Sequence, residues 1–179
     1  VILGTGPKRS PNTFLCTKKI YSDFVLELEF KVDTALNSGV QIRGDVYGKD
    51  AEVQKKGGKK KKTHQAGRVR GYQVEIDPDT TRNRMWTGGI YDEARRGWLA
   101  DLSKNKLARD AFKPEQWNHF RIQANGDQIK TWINGVHAVT LRDSMDASGF
   151  IGLQVHGQSK DKGRAGKQVR WRNIRIKEF

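Results

Sequence analysis

The stretch FVLELEFKV, Phe24 to Val32, alternates without a break: Phe24, Leu26, Leu28, Phe30 and Val32 take one side of an extended chain, and Glu27, Glu29 and Lys31 take the other. A period of two fits a half-buried β-strand and no helix, because successive Cβ atoms of a strand point to opposite faces. The pattern recurs downstream. SGVQIRG sends Val40 and Ile42 inward and Gln41 and Arg43 outward, and GYQVEID sends Tyr72, Val74 and Ile76 one way and Gln73, Glu75 and Asp77 the other. WNHFRIQA, QIKTWI and VHAVTL then read as consecutive strands, with turn residues at Asn125-Gly126 and Asn134-Gly135. The second pair predicts a tight hairpin, since Asn-Gly supplies both positive φ angles of a type I′ turn. GFIGLQVHG and QVRWRNIRIKEF add two more strands. In the last, Val169 and Trp171 hold one phase and Ile174 and Ile176 the other, and a β-bulge near Arg172 would reconcile them. A helical period is confined to LSKNKLARDAF, Leu102 to Phe112. About ten short strands separated by turn signals predict an all-β fold, a two-sheet antiparallel sandwich or jelly roll with one short helix.

Composition narrows the classes. A chain of 179 residues suits one domain, here 1–179. The single cysteine, Cys16, excludes an intramolecular disulfide and a cysteine-rich zinc site. No apolar run reaches the roughly 18 residues of a membrane span, and the opening VILGTGPKRSP lacks a signal peptide's apolar core, as a processed chain also would. The formal charge of +14 suggests an anionic partner, but it is unevenly spread. Residues 49–68 hold eight Lys or Arg against Asp50 and Glu52, about +6 of the total. This segment reads as a long Lys-rich loop insertion, solvated and mobile, with a patch for an acidic partner or a nuclear address as the alternatives. It contains no aromatic residue to interleave with its lysines, which argues against specific nucleic-acid binding. GGKKKKT also lacks the phosphate-loop spacing, because Lys61 precedes Lys62 where a glycine is required. Trp117, Trp132 and Trp171 sit in strand patterns and are expected in the core.

The polar sides of the strands carry the candidate chemistry. Glu75 and Asp77 should lie about 6–7 Å apart between Cα atoms on one face, so they can converge on a divalent cation or divide the roles of base and ligand. The plain alternative is a pair of solvated outward residues. Glu-Ile-Asp also resembles the start of the catalytic strand of retaining β-glucanases, but that strand continues to a second glutamate where this chain has Thr80 and Thr81, and Pro78 interrupts the ladder. Gln154 and His156 share the outward phase opposite Leu153 and Val155, and a histidine there can take a proton or bind a metal near neutral pH; a hydrogen-bonded structural role is the alternative. His64, His119 and His137 read as structural. Arg43 and Gln41 offer hydrogen-bond donors, unless Arg43 pairs with a glutamate such as Glu29. In GGIYDEARRGWL, Tyr91 and Trp98 offer stacking surfaces, while Asp92, Glu93, Arg95 and Arg96 form either a site rim or a local salt-bridge network. Asn37, Ser38 and Gly39 shape the turn into their strand.

Six blocks in order, NSGVQIRG, GYQVEID, GGIYDEARRGWL, WNHFRIQANGDQIKTWINGV, GFIGLQVHG and VRWRNIRIK, resemble the 3-keto-disaccharide hydrolase domain over about Phe14 to Phe179. The resemblance implies a concanavalin-like jelly roll of the lectin and glucanase type, a bacterial and usually exported protein, secreted or periplasmic, and a sugar on the concave sheet. It also implies cleavage of glycosides oxidised to a ketone at C3. A C3 ketone acidifies the C2 proton, so a base can remove it, an enolate forms, the C1 substituent leaves by β-elimination and water adds back. On that reading Glu75, His156 and Arg43 are the catalytic candidates. Gln41, Gln73, Tyr91, Arg95, Trp98 and Gln154 are the substrate-binding candidates, and Asp77 with Glu75 the place for a divalent ion if one is used. The alternative from a different class is a non-catalytic, lectin-like carbohydrate-binding module on the same sandwich.

Overall fold

The computed structural model describes residues 1–6, 9–54, 61–79, 84–157 and 165–179. Two six-stranded antiparallel sheets face each other. The first has the order β1 (Ile2–Thr5), β14 (Gln168–Glu178), β3 (Phe24–Val32), β10 (Asn118–Asn125), β11 (Gln128–Ile133), β12 (Val136–Arg142). The second has the order β2 (Thr13–Cys16), β13 (Phe150–Val155), β4 (Ser38–Val46), β7 (Val69–Ile76), β8 (Ile90–Glu93), β9 (Gly97–Ala100). The expected all-β sandwich is what forms. The helix α1 is shorter than its sequence period, Lys106–Ala111, and the Asn105 side chain caps it by accepting from Ala108 N.

The core lies between the sheets and is filled from both by the inward phase of each strand. Phe24, Leu26, Leu28, Phe30 and Val32 of β3 meet Val40 and Ile42 of β4, Tyr72, Val74 and Ile76 of β7, and Leu153 of β13 in one buried cluster. Burial is worth about 1.5–3 kcal/mol for each such large side chain, so the alternation itself sets the register: a one-residue slip would send the whole set into water. The bulge foreseen near Arg172 falls between Arg172 and Arg175 of β14, with Asn173 at φ 51°. It lets Trp171 oppose Phe30 and Ile176 oppose Leu26, both on the core side, and leaves Ile174 outside. The β11–β12 turn places Asn134 and Gly135 at φ 48° and 82°, as Asn-Gly predicts.

Two expectations fail. Residues 49–68 are not simply a solvated loop: β5 (Ala51–Gln54) and β6 (Lys61–His64) pair as an antiparallel hairpin, with His64 buried and stacked on Tyr47, while 55–60 lie outside the described residues. Of the three tryptophans, Trp171 is in the core, but Trp117 and Trp132 are half-buried on the outer side, where Arg172 and Arg121 lie over their rings. An outward phase on a strand lined with arginines gives an indole a cation to lie under, so apolar character alone did not decide its side. Among the described residues no helix is long and apolar enough to cross a membrane.

Candidate active site

The second sheet turns its inward phase to the core and its polar phase away. Across β13, β4 and β7 the register aligns Gln154, Gly39 and Glu75 in one row; the next row runs Gly152, Gln41, Gln73 and, on β8, Tyr91. Alternation allowed these polar groups to be solvated, but Gln41, Gln73, Glu75, Asp77 and Gln154 are all buried, Glu75 with 5% of its surface exposed. Gln73, Glu75 and Gln154 are hydrogen-bonded to one another. Gln73 Nε2 donates to Glu75 Oε1 at 2.6 Å and to Gln154 Oε1 at 3.4 Å, and Gln154 Nε2 donates back to Gln73 Oε1 at 2.8 Å. Asn37 Nδ2 donates to the second carboxylate oxygen of Glu75 at 3.1 Å. Gly39 makes the arrangement possible: a Cβ there would stand 2.6 Å from Gln73 Cδ, so the glutamine can lie across β4 only because that position is bare.

Glu75 therefore has two amide donors and, among the described residues, no ion pair. Burial pushes its carboxyl up to about 8; the two amides favour the anion and restrain the rise, while the charges of Asp77 and Glu93 add to it. A buried carboxyl that titrates near neutrality is suited to accept a proton and to return it. Tyr91, its diagonal neighbour on β8, has its phenol raised by burial first and then by Glu93 and Glu75, so it stays a donor. His156 follows the end of β13, half-buried, with Nδ1 2.7 Å from the Gly157 carbonyl. A carbonyl only accepts, so Nδ1 carries the proton of the neutral ring and Nε2 is its basic nitrogen.

Other expected members are placed elsewhere. Arg43 sits at a bulge in β4 with φ 46°, and all its nitrogens are committed: Nε to Ser22 O, Nη1 to Gly126 O and Asp146 O, Nη2 to Asp23 Oδ1. It ties three chain segments together at the edge of the sandwich and pairs with Asp23, not with Glu29. Asp77 is bound by Arg84, with Nη2 2.9 Å from Oδ2, and that guanidinium lies over Trp86 and Trp98. With Asp77 already neutralised and Glu75 protonated below about 8, the pair is a poor donor set for a divalent ion, and among the described residues no group of three or more His, Cys, Asp or Glu converges. Arg95 bridges Asp92 and Asp146, and Arg96 bridges Asp92 and Asp143, which accepts from the Tyr72 hydroxyl. The local network is thus the correct reading for Asp92, Arg95 and Arg96. Trp98 packs edge-on against Tyr91 and Trp86. Thr80 and Thr81 lie outside the described residues.

Glu93 departs from that network. It alternates in phase with Tyr91, is buried, and binds Arg68 and Asn12 instead of the arginines beside it. Its phase with Tyr91 was available in the sequence; Arg68, Asn12 and the Asn37 contact were not, because each spans a large sequence separation. Tyr91 and Glu93 form the sheet side of a cavity of about 430 Å³ whose opposite wall is the β5–β6 hairpin.

A family model described as a 3-keto-alpha-glucoside-1,2-lyase-like domain matches residues 1–177, and the chain belongs to that family. Among curated proteins none matches this chain in sequence. Of solved structures, a Bacillus subtilis protein of unknown function with a galectin-like fold is similar at TM-score 0.63 and 8% identity, covering 98% of this chain and 81% of that one. A putative glycosyl hydrolase from Parabacteroides distasonis is similar at TM-score 0.55 and 22% identity, covering 94% and 84%. The carbohydrate-binding module CBM66 from Bacillus subtilis is similar at TM-score 0.51 and 14% identity, covering 94% and 83%. These likenesses establish the fold.

Proposed function

We propose that the protein cleaves 3-keto-glycosides, with Glu75 as the base that opens the reaction. The observation that carries this reading is a buried carboxyl, held by Asn37 and Gln73 and lacking an ion pair among the described residues, on the polar side of the second sheet. In the reaction Glu75 removes the proton from C2 and the electron pair moves toward the C3 oxygen. The enolate then collapses, the C1–C2 double bond forms, the C1–O bond breaks, and the leaving oxygen takes a proton. Water adds at C1, giving up a proton to His156 Nε2, and C2 regains its proton from Glu75, which yields the 3-keto-sugar and the free alcohol. Tyr91 and His156 stand on either side of Glu75 in the strand order. Tyr91 serves as the neutral donor to the leaving oxygen, and the proton that His156 takes from the attacking water restores the Tyr91 phenol.

Gln73 and Gln154 position the base. Gln41 faces the same way, its Nε2 bound to Arg70 O and its Oε1 without a partner among the described residues, so it offers an acceptor to a sugar hydroxyl. Arg43 has no part in this scheme, and no step is routed through a metal. The test is release of para-nitrophenol from a para-nitrophenyl 3-keto-glucoside and from its parent glucoside, with and without added divalent ions. Release from the keto form alone is expected. Saturable binding with intact ligand would instead support a lectin-like module, and cleavage of neither compound under any condition would end the enzymatic reading.

A further inference from the structure

The cavity beside Glu93 is not needed for the chemistry at C1 to C3, and its lining is chemically distinctive. The hairpin contributes Lys62 and His64, the following segment Arg68, and the β8–β9 turn Arg95 and Arg96, against one carboxylate, Glu93. These charges are not equally available. Arg95 and Arg96 are matched by Asp92, Asp143 and Asp146, so they shape the wall without adding net charge. Arg68 is engaged by Glu93. Lys61 is bound by Glu52 across the hairpin, whereas Lys62, its neighbour, forms no ion pair among the described residues. One lysine ammonium is thus unmatched in a site whose volume falls within the roughly 300–1,000 Å³ of small-molecule pockets.

We propose that this cavity is the subsite for an anionic group, a carboxylate or a phosphate, carried by the leaving group of the glycoside. The assignment rests on the reading of Glu75 as the base, because it is the position of Tyr91 between Glu75 and the cavity that makes this the leaving-group side. Lys62 supplies the net charge and Arg68 the planar fork that fits either oxyanion. Burial raises the Glu93 carboxyl above the usual carboxylate range against the pull of Arg68, Lys62 and Asn12, and Asn12 still donates to it when Arg68 turns to an incoming anion. His64, stacked on Tyr47, has its basicity lowered by burial and then by Lys62 and Arg68, so the imidazole stays neutral beside the cations and does not repel them.

The experiment compares three 3-keto-glucosides that differ in the para substituent of a phenyl leaving group: carboxamide, carboxylate and phosphate. At low salt the charged substrates should have a KM roughly tenfold below that of the carboxamide. Lys62→Gln should abolish that difference, and Lys61→Gln should preserve it. Whichever of the two charged substrates gains more identifies the oxyanion. Equal KM values for charged and neutral substrates, or a preference that survives Lys62→Gln, would overturn the subsite while leaving the C1 chemistry intact. If none of the three is cleaved, the enzymatic reading fails and calorimetry decides the subsite by itself. Glucuronate or glucose 6-phosphate binding to the parent protein but not to Lys62→Gln, with glucose binding neither, upholds it; no binding of either anion overturns it.

Discussion

Strands β3 and β7 are written in the same code and meet opposite fates. Both alternate apolar with polar residues, and both present glutamates on the outward phase. On β3, Glu29 is met by Arg172 at 2.7 Å and Asn173 at 2.8 Å on the adjacent strand, half-exposed to water, and those hydrogen bonds hold its carboxyl below the usual range. On β7, Glu75 is buried with amides for partners, and its carboxyl is pushed up to about 8. The lesson is that a strand's pattern assigns its faces but not the dielectric of the polar one. That is set by what lies over it, and the partner decides whether a carboxylate becomes an ordinary anion or a base.

The largest effect expected from this contrast is on rate. Glu75→Gln should lower cleavage of a 3-keto-glucoside by roughly 10²–10⁴-fold, the range for a lost general base, while Glu29→Gln leaves it unchanged. Steady-state assays on the two purified variants check this, with circular dichroism confirming that both fold. Next in size is the dependence of stability on pH. Over the window from about 4.5 to about 8 the native Glu75 holds a proton that the unfolded chain releases, so stability falls as pH rises through it. Burial raises Asp77 and Glu93 in the same direction. Glu75→Gln removes the Glu75 contribution, and urea midpoints should show the variant gaining on the parent protein by up to a few kcal/mol between the acid and alkaline ends, at about 1.4 kcal/mol per unit. For Glu29 the sign reverses: its stabilisation is present above the unfolded carboxylate range and is lost as pH falls.

A smaller effect tests the packing that makes β7 different. Gly39→Ala would force Gln73 off β4, at a cost of about 1–3 kcal/mol in stability, and would deprive Glu75 of its shortest donor. Its rising pH limb should shift upward, since an amide that favours the anion is gone; an unmoved limb with lowered stability would make Gln73 merely structural. Smallest is Glu29→Gln itself, within about 1 kcal/mol by chemical denaturation, as suits a half-exposed ion pair.

Much of this was legible in the sequence. FVLELEFKV, the change of phase at Arg172 and the Asn134-Gly135 turn each fixed a local feature that depends on neighbours in the chain. GYQVEID also put Gln73, Glu75 and Asp77 on one side. What could not be read was the cover over that side. Asn37 reaches Glu75 across 38 residues, Gln154 reaches Gln73 across 81, and Asn12 reaches Glu93 across 81, so nothing local signals them. Arg43 misled because alternation assumed a regular strand, whereas the bulge rotates it into a carbonyl cage. The run of lysines at 49–68 misled by composition: charge predicts solvation of side chains, not absence of a backbone ladder, and β5 and β6 pair while keeping Lys61 and Lys62 exposed.

The most direct test of the central claim is the rate of cleavage of para-nitrophenyl 3-keto-glucoside, protonated or deuterated at C2, as a function of pH. The account predicts a rising limb with an apparent pKa near 8, a primary isotope effect from the C2 position, and loss of both in Glu75→Gln. A profile indifferent to deuterium at C2, with Glu75→Gln cleaving at the parent rate, would contradict it.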